Sequence, residues 1–229
     1  MSYTPRTIAF LCDLVHPPQT PDTHAVQRLH NAQFESGSPL YNSFNVTHEG
    51  AVLSNPMPTP GATSSVSFLA DRIRFREELS GLTMDDFGER VLSVTRDAVE
   101  RLGLQLFTAQ QVTVRTLVNP RHFKDSRNFL KAGMFGFGSE VDDFGREPQL
   151  YGMRMVFPPG PEEPNAHALR IESFHTDPRS VFVENQASFG PVVVRHGLEA
   201  VSSNVEAAYR FVVERALVFL SRFDAHQEA

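Results

Sequence analysis

Apolar and polar positions alternate with a period of two in several stretches of this chain and recur every three or four residues in others, so strands and helices can be placed first. Ser65-Val66-Ser67-Phe68-Leu69 is rich in strand formers, Ala70-Asp71-Arg72 is polar enough to turn, and Ile73-Arg74-Phe75-Arg76 alternates apolar with charged. Apolar parity flips between Phe68 and Ile73, so one straight strand would put one of them on the wrong face; a tight hairpin removes the conflict. Thr83 then precedes Met84-Asp85-Asp86. A hydroxyl followed three residues on by a carboxylate can satisfy the free N–H groups of a helix start. Met84, Phe87, Val91, Val94, Ala98 and Leu102 form one stripe of the helix that follows. Gly103 supplies the left-handed residue that closes it. Val112, Val114 and Val118 alternate with polar residues in the next strand, which Pro120 ends.

The same reading extends along the chain. Thr7 to Val15 is an apolar run with Asp13 inside it, consistent with a central strand stopped by His16-Pro17-Pro18. Thr20 to Ser36 predicts a short helix with a thin apolar face of Val26, Leu29 and Phe34. Residues 37–65 read as a long irregular segment, broken by Phe44-Asn45-Val46 and Ala51-Val52-Leu53 as candidate edge strands. Arg121 to Lys131 predicts a short basic helix, and Gly133-Met134-Phe135-Gly136-Phe137-Gly138 a mobile aromatic loop. Tyr151, Met153, Met155 and Phe157 alternate in a further strand; Leu169 and Ile171 open another, with Asp177-Pro178 turning it onto Val181-Phe182-Val183. A last helix is expected from Ser203, with Glu206 completing a capping box, through Val205, Tyr209, Val212, Ala216, Phe219 and Phe223. The tail beyond Asp224 is polar.

These elements predict one α+β domain spanning 1–229, with an antiparallel sheet and two main amphipathic helices on one face. Both halves read as several strands followed by an amphipathic helix. That leaves an internal duplication open, which the match of Asp85-Asp86-Phe87-Gly88 with Asp142-Asp143-Phe144-Gly145 is too short to establish.

Composition narrows the function classes. A net charge of −6 argues against nonspecific nucleic-acid binding, which needs a basic field. No apolar run approaches the ~20 residues of a membrane span. One cysteine, Cys12, on the apolar side of its strand, reads as a core residue. With no signal-peptide pattern, it points to the cytoplasm.

Motifs that specify a reaction are missing. Asp-Phe-Gly lacks the glycine-rich loop, strand lysine and His-Arg-Asp run of a kinase. His24 and His30 are six residues apart where a zinc-binding helix needs four, and Asp177 beside His175 is good turn chemistry. The sequence therefore predicts no catalytic residues, metal or cofactor. Glu172, Glu184 and Asp13 are expected in water, as acids on an antiparallel sheet usually are. The leading ligand- or partner-binding candidate is the basic aromatic segment with Arg121, Lys124, Arg127, Lys131, Phe135 and Phe137. Such a segment can clasp an anion, stack on bases or dock a protein; the alternative is a solvated helix whose phenylalanines cover the core. A second candidate is the outward sheet face, where Arg74, Arg115, Arg154, Arg170, Glu172 and Glu184 converge, as cross-strand pairs or as a meeting surface for two copies.

The order of features over roughly the first 130 residues resembles a sporadically distributed bacterial protein family of unknown function. The shared features are a strand ending in prolines, a short helix, a hairpin like Val66 to Phe75, a helix like Met84 to Leu102 and a strand like Val112 to Val118. Of the family's Arg-Tyr-Ile-Asn run, Arg115-Thr116-Leu117-Val118-Asn119 keeps the Arg and the Asn. The resemblance implies a bacterial source and contributes no catalytic residues. The expected function is therefore non-enzymatic assembly, as a homo-oligomer or with a protein partner. The alternative is a small anionic-ligand-binding protein, with or without catalysis, using segment 121–137.

Overall fold

The computed structural model describes residues 3–224; the polar tail after Asp224 lies outside them. Nine strands form one sheet in which all neighbours are antiparallel, in the order β2-β3-β4-β5-β1-β7-β10-β9-β8. These are β1 (Arg6–Val15), β2 (Ser43–Val46), β3 (Ala51–Ser54), β4 (Thr63–Phe68), β5 (Arg72–Glu78), β7 (Ala109–Val118), β8 (Gly152–Phe157), β9 (Ala166–Ser173) and β10 (Val181–Phe189). A small ribbon pairs β6 (Leu106–Phe107) with β11 (Val192–Val193). The expected hairpin is β4–β5, and the apolar run at the N-terminal side is the middle strand.

The two halves share one topology. In the first, β1 is followed by helix α1 (Thr23–Glu35), which carries the chain to the far edge; β2 to β5 then meander back inward to β1, and helix α2 (Met84–Leu102) follows. In the second, β7 leads through helical turns to the opposite edge, β8 to β10 meander inward to β7, and a long helix, α4 (residues 199–221), follows. The first strands of the halves, β1 and β7, pair at the centre.

Helices cover one face. Phe10 of β1 stacks on Phe87 of α2 at 5.2 Å and meets Tyr209 of α4 at 6.0 Å, so both long helices lie on the side to which Cys12, Val112 and Val114 also point. The α2 stripe of Phe87, Val91, Val94 and Ala98 is sealed from solvent, each larger side chain contributing about 1.5–3 kcal/mol by its transfer out of water. Thr83 and Asp86 form the expected capping box, and Gly103, at φ 66°, closes the helix with its N–H on Val99. Below α4, Gln110 Nε2 donates to the carbonyl of Val201 at 2.9 Å while its Oε1 accepts from Asn204 at 2.8 Å, fixing α4 to the sheet.

Three local expectations are corrected. Residues 37–65 carry both candidate strands, joined as the β2–β3 hairpin, and the start of β4; β2 is the edge, whereas β3, paired with β4 on its other side, is not. The backbone at Gly50 (φ 150°) approaches Phe68 too closely for a side chain. The basic helix does not start at Arg121. Asp125 accepts from the N–H of Asn128 and begins a short helix, α3, as an α turn (Ser126–Asn128) that continues as a π turn (Phe129–Met134). Gly133 and Met134 thus belong to the helix, and the aromatic loop shrinks accordingly. The last helix begins at Glu199, not after a Ser203 cap. It runs as Glu199–Arg210, a π segment Phe211–Ala216 and Leu217–Ser221, together α4. Val201 shares the buried stripe of Val205, Ala208 and Val212, which starts the helix one turn early, and the Ser203 hydroxyl donates to the Glu199 carbonyl inside it.

Candidate functional site

Segment 121–137 is held by carboxylates. Arg127 and Lys131 both reach Glu147, at 3.6 and 3.3 Å, and Arg127 also donates to the Pro148 carbonyl at 2.6 Å. Arg121 lies over the Tyr3 ring at 5.9 Å, with its backbone N–H on Asp224. Lys124 is exposed. Phe135 packs on the core, with the more exposed Phe137 ring 5.4 Å away. The glutamate shared by Arg127 and Lys131 is held below the usual carboxylate range, chiefly by the Tyr151 hydroxyl and then by Lys131 and Arg127. The structure therefore brings Arg127 and Lys131 onto Glu147, sets Arg121 over Tyr3 and leaves Lys124 exposed, rather than gathering the four cations into one convergent cluster.

The outward sheet face does gather its predicted residues. Asp13 takes both prongs of Arg74 at 2.9 Å and Arg72 at 3.2 Å. Arg115 joins Glu184 at 2.6 Å and Glu78 at 3.0 Å, and Arg170 approaches Glu184 at 3.6 Å and Glu172 at 3.8 Å. Asp13 and Glu184 are thus paired across strands and Glu172 along its own strand, each partly shielded. At one end of this face a cleft of about 640 Å³ runs over Leu117 and Phe182, beside Arg115, Arg170 and Glu172.

The other face holds the arrangement with the most definite chemistry. A cleft of about 510 Å³ lies between β8–β9 and α4, walled by Met155, Phe157, Leu169, Phe211 and Phe219 and edged by Glu163 and Arg215. His167 of β9 is buried against it, its ring stacked on Phe211 at 3.9 Å and 8°. Phe211 opens the π segment of α4; such an extra residue per turn re-aims side chains and is frequent at functional sites.

The hydrogen bonds fix the state of this histidine. Asn185 Nδ2 donates to the carbonyl of Ala208 at 3.0 Å, which leaves Asn185 Oδ1 as an acceptor. His167 Nδ1 lies 3.2 Å from that oxygen, so Nδ1 carries the proton, and in the neutral ring, which burial favours, Nε2 presents its lone pair. Among the described residues Nε2 has no protein partner, and it is not sealed from solvent, as a ring lining the cleft requires. Burial pushes the His167 pKa down, against smaller opposing contributions from Asn185 and Glu163. The cleft therefore combines an apolar wall with one oriented hydrogen-bond acceptor, which can hold a donor or take up a proton.

Sequence reasoning passed over this site, although a signal was present. His167 shares strand parity with Leu169 and Ile171, and Asn185 with Val183 and Ala187; polar residues at inward positions of a sheet require partners. Among the described residues no group of three or more His, Cys, Asp or Glu side chains is arranged to hold a metal, and no helix is long and apolar enough to cross a membrane. Comparison with protein-family models and with curated proteins finds no match.

Proposed function

We propose that this protein binds a small, largely apolar molecule bearing one hydrogen-bond donor, in the cleft between β8–β9 and α4. The observation that carries the reading is the fixed tautomer of His167, whose Nε2 lone pair is the oriented acceptor within the apolar wall, with Glu163, Asn165 and Arg215 at the rim. The cleft volume falls in the range of small-molecule sites, which are mostly apolar with a few placed polar groups. The donor class includes phenols, indoles and secondary amides.

The test uses a pair of probes differing only in the donor, 4-ethylphenol and 4-ethyltoluene, followed by thermal shift and by amide NMR of labelled protein. The phenol is expected to bind more tightly, with shifts at residues 155–169 and 207–219. His167→Phe keeps the stack on Phe211 and is expected to abolish the discrimination. Equal binding of both probes by the native chain, or the same preference in the variant, defeats the proposal.

Assembly is the second reading. It is favoured by the sheet face opposite the helices, which no helix covers among the described residues, and by two edge strands, β2 and β8, each with a neighbour on one side only.

A further inference from the structure

Strand register exposes an incomplete pattern on the outward face. One cross-strand row runs from β5 through β1, β7, β10 and β9 to β8: Glu78 opposite Ala9, Ala9 opposite Arg115, Arg115 opposite Glu184, Glu184 opposite Arg170, and Arg170 opposite Arg154. Its charges alternate in sign until the edge, where two arginines meet. Arg115 has carboxylates on both sides, whereas Arg170 has Glu184 on one side, Glu172 along its own strand and Arg154 on the other side. Arg154, at the end of the row, makes no ion pair among the described residues. Like charges directly opposite destabilise a sheet, and an acid on the far side of Arg154 would restore the alternation.

The strand carrying Arg154 is also an unguarded edge. β8 pairs with β9 alone, so alternate residues turn their backbone N–H and C=O groups away from the sheet. Natural edges are usually kept short, charged or kinked to prevent further pairing. β8 spans six residues, is free of proline, and leaves Val156 64% and Phe157 40% exposed. Arg154 is its one charge.

We infer that β8 is a docking edge for an extended segment of another protein, added antiparallel as a tenth strand, with an Asp or Glu opposite Arg154. The flanking positions, opposite Met153 and Met155, take apolar side chains, because those methionines face the helix side. A second copy paired through β8 about Arg154 would set arginine against arginine, so charge favours a different chain. This surface adjoins the proposed ligand cleft, whose wall includes Met155 and Phe157 of the same strand, but Arg154 points away from that cleft, and the charge preference of the edge can hold without the ligand reading.

The experiment uses two capped peptides, Thr-Val-Ile-Glu-Ile-Thr and the same sequence with Lys for Glu, titrated into labelled full-length protein and followed by amide NMR. Shifts are expected at 152–157, with the Glu peptide preferred roughly two- to thirtyfold, one favourable plus one avoided like-charge pair. Arg154→Glu, an exposed edge substitution, is expected to reverse the preference, and Arg154→Gln to erase it. The inference is overturned if neither peptide perturbs β8, if perturbation centres on β2, or if Arg154→Glu leaves the order unchanged. It is equally overturned if β8 shifts with protein concentration alone, which makes a second copy the occupant.

Discussion

Removing Arg90 isolates a charge that the fold has no other means of neutralising. Glu77 of β5 lies on the helix side of the sheet with its side chain 0% exposed, and its Oε1 accepts from Arg90 of α2 at 2.6 Å and from the Ser64 hydroxyl at 2.9 Å. Its Oε2 is buried without a partner, as is the hydroxyl of Tyr41, over whose ring the Arg90 guanidinium lies at 5.3 Å. Burial already pushes the Glu77 pKa upward, against the pull of Arg90. In Arg90→Met the carboxylate has two options: stay ionised and unpaired, which costs ~3–5 kcal/mol for a broken buried pair, or take up a proton. At pH 7 protonation costs about 3.7 kcal/mol, from ~2.7 pH units at ~1.36 kcal/mol each above an ordinary Glu pKa of ~4.3. At pH 5 it costs about 1 kcal/mol on the same basis. A group whose folded pKa is raised favours the fold below its unfolded pKa and loses that contribution as pH rises through the folded value. The variant is therefore expected to lose ~3–4 kcal/mol at pH 7, or ~6–16 °C in Tm for a chain of this size, and to recover most of it at pH 5. Urea denaturation followed by circular dichroism at both pH values measures this. Arg90→Met with Glu77→Gln is expected to be more stable at pH 7 than Arg90→Met alone. A loss below ~1 kcal/mol at pH 7, or one that does not shrink at pH 5, refutes the buried-charge account.

Three smaller predictions use the same chain. Thr83→Ala removes the acceptor of the Asp86 N–H and is expected to cost ~0.5–2 kcal/mol in urea denaturation. The Cys12 thiol is fully buried and pushed up to about 12, so iodoacetamide is expected to leave native protein unlabelled and to label it once in urea, by mass spectrometry. His167 has a folded pKa below the ordinary ~6.5, so its contribution is complete above that value and declines as pH falls toward the depressed folded pKa. His167→Phe is expected to flatten that part of the stability–pH curve.

Much of the fold was legible because side-chain parity and helical spacing encode the side on which a residue is buried. The parity flip between Phe68 and Ile73 located the β4–β5 hairpin, and the stripe from Phe87 to Ala98 located α2 with both its ends. Caps were harder to read. Ser203 and Glu206 have capping-box spacing, yet Val201 continues the apolar stripe, and burial of that valine outweighs a cap at Ser203. The basic segment was legible as charge and not as geometry, because Glu147 and Asp224, its partners, lie 16 to 103 residues away. The cleft was hidden for a related reason. His167 and Asn185 are adjacent strands' residues whose meeting depends on register, and the carbonyl that orients them belongs to α4. The same parity that marked core valines could have marked His167, Asn185 and Glu77, each a polar residue among apolar neighbours of one strand face.

The inward meanders also set the order in which the sheet can assemble. Adjacent pairs within each meander, such as Phe68 with Ile73, close loops of a few residues, whereas Ala9 must find Glu78 and Arg115 across intervals of many tens of residues. Loop-closure entropy precedes the reward from such distant contacts. The outer hairpins are thus expected to acquire amide protection early in refolding, and the β1–β7 seam last. Each half would then condense as its own cooperative unit, with the rate set by the docking of two nascent sheets.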